Sequence, residues 1–309
     1  MNKEFPIRIG FCAPSRALRD PSSLDEMSSY FQERGAEVLI DEAARRNIKQ
    51  FAGTDEERAK SLVNMAALGA DLIMPIRGGY GLSRILDAID YQALSESGAV
   101  FCGYSDFTAF NLAYFKRTGK VSFQGPAGTD FIDNPVYSTL QSFKNALFSK
   151  EWVLSFTSKT LIKLDFEGTL WGGNLSLITS LVGSSFMPDV ENGILFLEDG
   201  NERAYRIERM LLQLFRAGIL QKQKAVLLGD FRDADPMHPK ENDFLFSDAL
   251  SYLRSLLPSV AFIDGLPFGH EANRCTLPVG AVTRLKADKG YVVLSTMDKP
   301  VVRQSLAQV

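Results

Sequence analysis

Apolar positions in the first half of the chain fall in short unbroken runs, separated by stretches whose apolar residues recur at helical spacing. Ile7–Ala13 reads as a buried strand, followed by a helix over about 24–34 that stops at Gly35. Val38–Ile40 is a second, shorter strand. Thr54 followed by Glu57 is a capping box that opens a helix running through Leu68, with Gly69 as its stop. Asp71–Ile76 is the third strand, and Arg77-Gly78-Gly79-Tyr80-Gly81 is a turn before a helix near Ser83–Ile89. Val100–Gly103 is the fourth strand. It runs through Tyr104-Ser105-Asp106 into a helix that ends near Lys116, and Val121–Gln124 closes the series before a helix within Val136–Leu147. Strands alternating with helices predict βαβ units and a parallel sheet covered on both faces.

Near residue 150 the rhythm changes. Trp152–Phe156 and Thr160–Leu164 read as short antiparallel strands crossing out of the first unit. Gly172-Gly173-Asn174 leads a short helix, and Gly193–Glu198 is a strongly buried strand. A helix over about 204–216, a strand at Ala225–Gly229 and a helix over about 244–256 follow. The chain finishes with strands near Ala261–Ile263, Val279–Leu285 and Tyr291–Ser295. This half predicts a second, mixed α/β domain.

Composition narrows the function classes. With 309 residues the chain buries roughly three quarters of its unfolded surface, so folding needs neither disulfide nor metal. A 45% hydrophobic, 23% charged composition is that of a globular protein. A formal net charge of −3 argues against a broad nucleic-acid surface. No run reaches the ~18 apolar residues of a membrane helix, and the N-terminal stretch lacks the apolar core and cleavage site of a signal peptide. Three cysteines, Cys12, Cys102 and Cys275, are an odd, sparse set suited to a reducing compartment. A cytoplasmic protein without membrane or nucleic-acid partners is expected. Two histidines and no HExxH or CxxC spacing leave no visible metal site, and no cofactor is expected. The Gly78–Gly81 turn fails the dinucleotide fingerprint, because Arg84 stands where the third glycine belongs. Asp233 and Asp235 suit turn chemistry better than an acid/base pair.

Three places could carry chemistry. Ser105, in Gly103-Tyr104-Ser105-Asp106, sits at a sharp strand-to-helix junction, where the following N–H of Asp106 suits an oxyanion. Only half of G-x-S-x-G is present, since Phe107 replaces the second glycine, and a serine here also serves as a helix cap. His270 follows a strand in a loop bracketed by Pro267 and Gly269 and is either a base or a histidine bonded within a turn. His238, in Pro-Met-His-Pro, reads as a surface residue. Glu198 ends an apolar strand, placed either to hold an imidazole ring or to favour a helix dipole. Together the three supply a nucleophile, a base and an orienting carboxylate.

IGFCAPS at the start, RGGYG at 77–81, GYSD at 103–106, GGNLSLI at 172–178, ILFLED at 194–199 and LPFGHEANRCTLPVGA at 266–281 resemble the LD-carboxypeptidases, the muramoyltetrapeptide carboxypeptidases, over almost the whole chain and in order. The resemblance implies an α/β fold with a flavodoxin-like, parallel-sheet N-terminal domain and a smaller, mixed α/β, swivelling C-terminal domain. The expected division is 1–150, a crossover linker at 151–164, and 165–309. It implies a serine peptidase with a triad of Ser105, His270 and Glu198, and an oxyanion hole from the N–H groups of Gly79 and Asp106. The substrate would be a small peptide or muropeptide cut before its terminal D-Ala, and the assembly a homodimer. A sister group, the microcin C immunity peptidases, cleaves a peptidyl-nucleotide, and Trp171 beside GGN is either a stacking or a packing residue. A catalytically silent peptide-binding protein is the reading from another class. Arg77 is, by charge and position alone, either a clamp for the substrate carboxylate or a surface arginine.

Overall fold

Two large sheets and one two-stranded ribbon organise the chain, and one strand of the larger sheet changes from antiparallel to parallel pairing along its length. The computed structural model describes residues 6–132 and 136–302. The first sheet is parallel, with strand order β2-β1-β3-β4 from β1 (Arg8–Cys12), β2 (Glu37–Ile40), β3 (Leu72–Pro75) and β4 (Val100–Phe101). Its inner strands are buried on both faces, β1 from Ile9 to Cys12 and β3 throughout, as a parallel sheet covered by helices requires. Helix α1 (Ser23–Gln32) and helix α2 (Asp55–Ala67) belong to this layer. Thr54 and Glu57 form the expected capping box, each side chain accepting the other's backbone N–H, at 3.2 and 2.9 Å. Gly10 lets α2 press onto β1, because a Cβ there would stand 2.9 Å from that of Met65.

Two expectations shift in this half. The helix expected near Ser83–Ile89 breaks into two short 3₁₀ turns, and the regular helix α3 (Tyr91–Glu96) starts after Asp90, whose side chain accepts the N–H of Ala93. Strand β5 (Ser122–Gln124) touches the parallel sheet through a single bridge between Cys102 and Phe123. It pairs instead, antiparallel, with β11 (Leu277–Val279). Between β4 and β5 runs α4 (Thr108–Thr118), buried from Thr108 through Tyr114. Helix α5 (Tyr137–Phe148) leads to the second sheet.

That sheet has seven strands, in the order β10-β9-β8-β7-β12-β13-β6. They are β6 (Trp152–Thr157), β7 (Leu164–Asn174), β8 (Gly193–Glu198), β9 (Gln223–Leu228), β10 (Ala261–Asp264), β12 (Val282–Asp288) and β13 (Tyr291–Thr296). β7 pairs antiparallel with β12 over its first half, where exposed and half-buried residues alternate. It then pairs parallel with β8 from Leu170 to Asn174, where every residue is buried. The strand expected at Thr160–Leu164 is not one: Thr160 folds back onto the Asp264 carboxylate, and the real strand begins at Leu164. Glycine is required at Gly172, whose φ is +143° and where a Cβ would lie 1.9 Å from the Phe196 carbonyl oxygen. Trp171 is fully buried and donates to Gln223 Oε1 at 2.9 Å, so it is a packing residue. Helices α6 (Leu175–Ser180), α7 (Ala204–Arg216) and α8 (Phe246–Leu256) complete this half. α7 turns Ala204, Ile207, Leu211 and Leu214 inward at helical spacing. One continuous apolar core runs from Ile7 to Val302 across both sheets. Among the described residues no helix is long and apolar enough to cross a membrane.

Candidate active site

Two residues beyond strand β4 lies Gly103, where a Cβ would stand 2.7 Å from Phe107 and Pro75, so the chain turns in a space only glycine fits. Two residues on, Ser105 has φ +60°, a left-handed conformation that costs a non-glycine residue about 1–3 kcal/mol and holds the hydroxyl out at the sheet's carboxyl edge. The second glycine of a nucleophile elbow is absent because Phe107 is buried, 4.8 Å from the ring of Phe110. Gly78, from the loop after β3, supplies the missing space. A Cβ on it would lie 3.1 Å from Ser105 Cβ.

The other half of the site comes from the second sheet. Glu198, the last residue of β8, is fully buried with its carboxylate facing the loop after β10. That loop is pinned to the end of β9, where the Asp230 N–H donates to the Phe268 carbonyl at 2.8 Å. Gly269, at φ +151°, passes so close that a Cβ would meet Asp230 Cβ at 2.6 Å. His270 follows and lies between the two sheets. Its Nδ1 is 2.7 Å from Glu198 Oε2, and its Nε2 is 3.1 Å from Ser105 Oγ. Serine, imidazole and carboxylate thus stand in one hydrogen-bonded series across the interface of the two halves.

Asn174 was not singled out as a site residue by the sequence, yet it joins the two sides. Its amide Nδ2 donates to Glu198 Oε1 at 3.1 Å, while its Oδ1 accepts from Leu177 N–H and from Ser176 Oγ at the start of α6. Its own N–H donates to Thr108 Oγ1, at the start of the helix that follows the Ser105 turn. The GGN motif held the signal, read only as the start of a helix. Asp199, next to Glu198, accepts the Ser176 N–H at 2.8 Å, and burial raises its pKa to about 6 against that hydrogen bond. Glu271 faces outward toward Arg232. His238 is exposed; Asp233 has a left-handed backbone (φ +63°), as a turn residue does, while Asp235 accepts the Phe246 N–H eleven residues on, at the start of the helix over 246–256.

Burial pulls the His270 pKa down, but the hydrogen bond and charge of Glu198 more than offset it and hold the pKa above its ordinary value. The Tyr104 ring packs 5.4 Å from the imidazole, and the Arg274 guanidinium lies 4.1 Å from the Tyr104 ring centroid while pairing with Asp130 at 3.1 Å. In front of Ser105 and His270 opens a cleft of about 560 Å³, lined also by Arg19, Arg77, Gly78 and Gly79. The Arg77 pKa is lowered, by burial first and then by Arg19 and Arg16 beside it. Among the described residues none of these three arginines forms an ion pair. The site therefore offers a held serine hydroxyl, a proton acceptor beside it and a cationic wall.

Known proteins share this organisation. Residues 9–125 match the LD-carboxypeptidase N-terminal domain, and residues 167–285 match the LD-carboxypeptidase C-terminal domain. A probable murein peptide carboxypeptidase of Bacillus subtilis is 31% identical over 292 residues, 92% of this chain and 91% of its own. The crystal structure of a muramoyltetrapeptide carboxypeptidase from Oxalobacter formigenes superimposes with a TM-score of 0.88 at 39% identity, covering 95% of this chain and 100% of that one. The microcin C7 self-immunity protein MccF of Escherichia coli is 26% identical over 301 residues, 86% of each chain.

Proposed function

The chain belongs to the LD-carboxypeptidase family, and we propose that it is a serine carboxypeptidase cleaving the L,D-peptide bond before the terminal D-Ala of murein tetrapeptides. The observation that carries the proposal is the series Ser105 Oγ, His270, Glu198 at 3.1 and 2.7 Å, within hydrogen-bond reach for general-base catalysis.

His270 Nε2 takes the Ser105 proton as Oγ attacks the carbonyl carbon between the L-centre of the third residue and D-Ala. Glu198 holds the ring through Nδ1 and stabilises the imidazolium that forms. The developing oxyanion is received by the N–H groups of Gly79 and Asp106, carried on the loops after β3 and β4. The imidazolium then gives its proton to the departing D-Ala nitrogen. Water, deprotonated by the same imidazole, opens the acyl ester and restores the Ser105 hydroxyl. Arg77, with Arg16 and Arg19 close by, is placed to hold the terminal carboxylate. The three free, buried cysteines suit a cytoplasmic protein, and the homodimer common in the family is the proposed assembly.

The likeness to the microcin immunity protein favours a second reading, hydrolysis of a peptidyl-nucleotide at the same serine. Incubating the purified protein with muramoyl-tetrapeptide and with a peptidyl-adenylate analogue, and following product mass, separates the two. Release of free D-Ala, leaving a peptide lighter by one alanine residue, supports the first; release of the nucleotide alone supports the second. Turnover of neither leaves a silent peptide-binding protein and overturns both.

A further inference from the structure

Asp106 is 1% exposed and follows the proposed nucleophile, at the start of a helix where an acidic residue ordinarily caps the local backbone. Its side chain does something else. One oxygen, Oδ2, accepts from Ser15 Oγ at 2.6 Å and from the Leu82 N–H at 3.0 Å, while Oδ1 has no partner. Ser15 lies on the loop after β1, and Leu82 ends the loop Arg77–Gly81 after β3. A single carboxylate oxygen therefore joins the loops that leave three strands adjacent in the sheet, β1, β3 and β4.

The neighbouring residues of the same two loops are tied from the opposite charge. Arg58, fully buried on α2, donates through Nη1 to the carbonyls of Pro14 and Gly81, at 2.5 and 3.0 Å, and through Nη2 to Asp55 at 2.6 Å. Residues 14–15 and 81–82 are thus stitched together by Arg58 on the carbonyl side and by Asp106 on the hydroxyl and N–H side. The loop so fixed carries Gly78, pressed onto Ser105, and Gly79.

We infer that the Asp106 side chain is a positioning residue that locks the loop after β3 against the elbow after β4, so that the N–H of Gly79 and the N–H of Asp106 aim at one point. The inference rests on the reading of Ser105 as nucleophile and of these two N–H groups as oxyanion donors. A donor that is present but misaimed loses its value in the transition state and little in the ground state, so the loss falls on kcat.

The test is D-Ala release from muramoyl-tetrapeptide by four full-length variants, with thermal unfolding measured beside it. Asp106→Ala should lower kcat about a hundredfold, with KM within about threefold of the parent, because both N–H donors remain but their common anchor is gone. Asp106→Asn, which keeps an acceptor oxygen for Ser15 and Leu82, should recover at least about tenfold of that loss. Ser15→Ala removes one of the two donors and should lower kcat about fivefold, again without a matching change in KM. Ser105→Ala separates the levels: if it turns over like the parent, the nucleophile reading itself fails. If it is inactive while Asp106→Ala keeps kcat within threefold, only the positioning inference fails. Equal impairment of Asp106→Ala and Asp106→Asn, or a loss confined to KM, overturns it too. Should Asp106→Ala not fold, Ser15→Ala decides, and an unchanged kcat there refutes the inference.

Discussion

Asn174 grips Glu198 by the carboxylate oxygen that His270 does not use. Its amide nitrogen is 3.1 Å from Oε1, while the imidazole meets Oε2 at 2.7 Å. The amide cannot turn over, because its oxygen is committed to the Leu177 N–H and the Ser176 hydroxyl at the start of α6. A helix cap therefore also fixes the rotamer of the orienting carboxylate. Asn174→Ala should destabilise the protein by about 2 kcal/mol, from the lost cap and the orphaned buried oxygen. It should also lower kcat about tenfold. Thermal unfolding together with steady-state kinetics checks this. A variant that loses stability but keeps kcat would show that Glu198 needs no second anchor.

The pH profile follows from the same carboxylate. His270 must be neutral to accept the Ser105 proton, so kcat/KM falls on the acid side as pH drops through the imidazole pKa of the free enzyme. Glu198 holds that pKa above the ordinary 6.5 against the opposing pull of burial. In Glu198→Gln the charge is gone and burial remains, so the acid limb should move to lower pH while the plateau drops. A limb that stays in place, or moves up, would mean that Glu198 does not set the base.

How much of this was legible in the sequence depends on the range of each signal. The capping box of Thr54 and Glu57, the buried run Gly193–Glu198 and the serine turn after β4 are local, and the structure has each where the pattern puts it. β7 was not legible as one strand. Its first half alternates as an antiparallel strand and its second half is continuously buried as a parallel one, so no single period spans it. β5 carries a strand's composition but takes its partner from residue 277 onward, a pairing no local pattern encodes. In the site, Ser105, His270 and Glu198 each announced a chemistry by residue type. Asn174, Ser15 and Arg58 did not, because their parts depend on contacts with residues 23 to 91 positions away.

Arg77 stands half-buried in the cleft among like charges, a position that costs stability unless an anion arrives. Arg77→Met should raise KM for muramoyl-tetrapeptide about tenfold or more, and the effect should vanish with a substrate whose terminal carboxylate is an amide. Competition assays with both substrates measure it. Equal losses for the acid and the amide would place the carboxylate elsewhere.

The central claim is that Ser105 is the nucleophile and works as one unit with His270. The most direct measurement is the rate of D-Ala release from muramoyl-tetrapeptide by the parent, by Ser105→Ala, by His270→Ala and by the double variant, all confirmed as folded. The account predicts that each single change lowers kcat by a factor on the order of 10⁴ to 10⁶, and that the double variant is scarcely worse than either. A Ser105→Ala protein that turns over within about tenfold of the parent, or losses that multiply in the double variant, would contradict it.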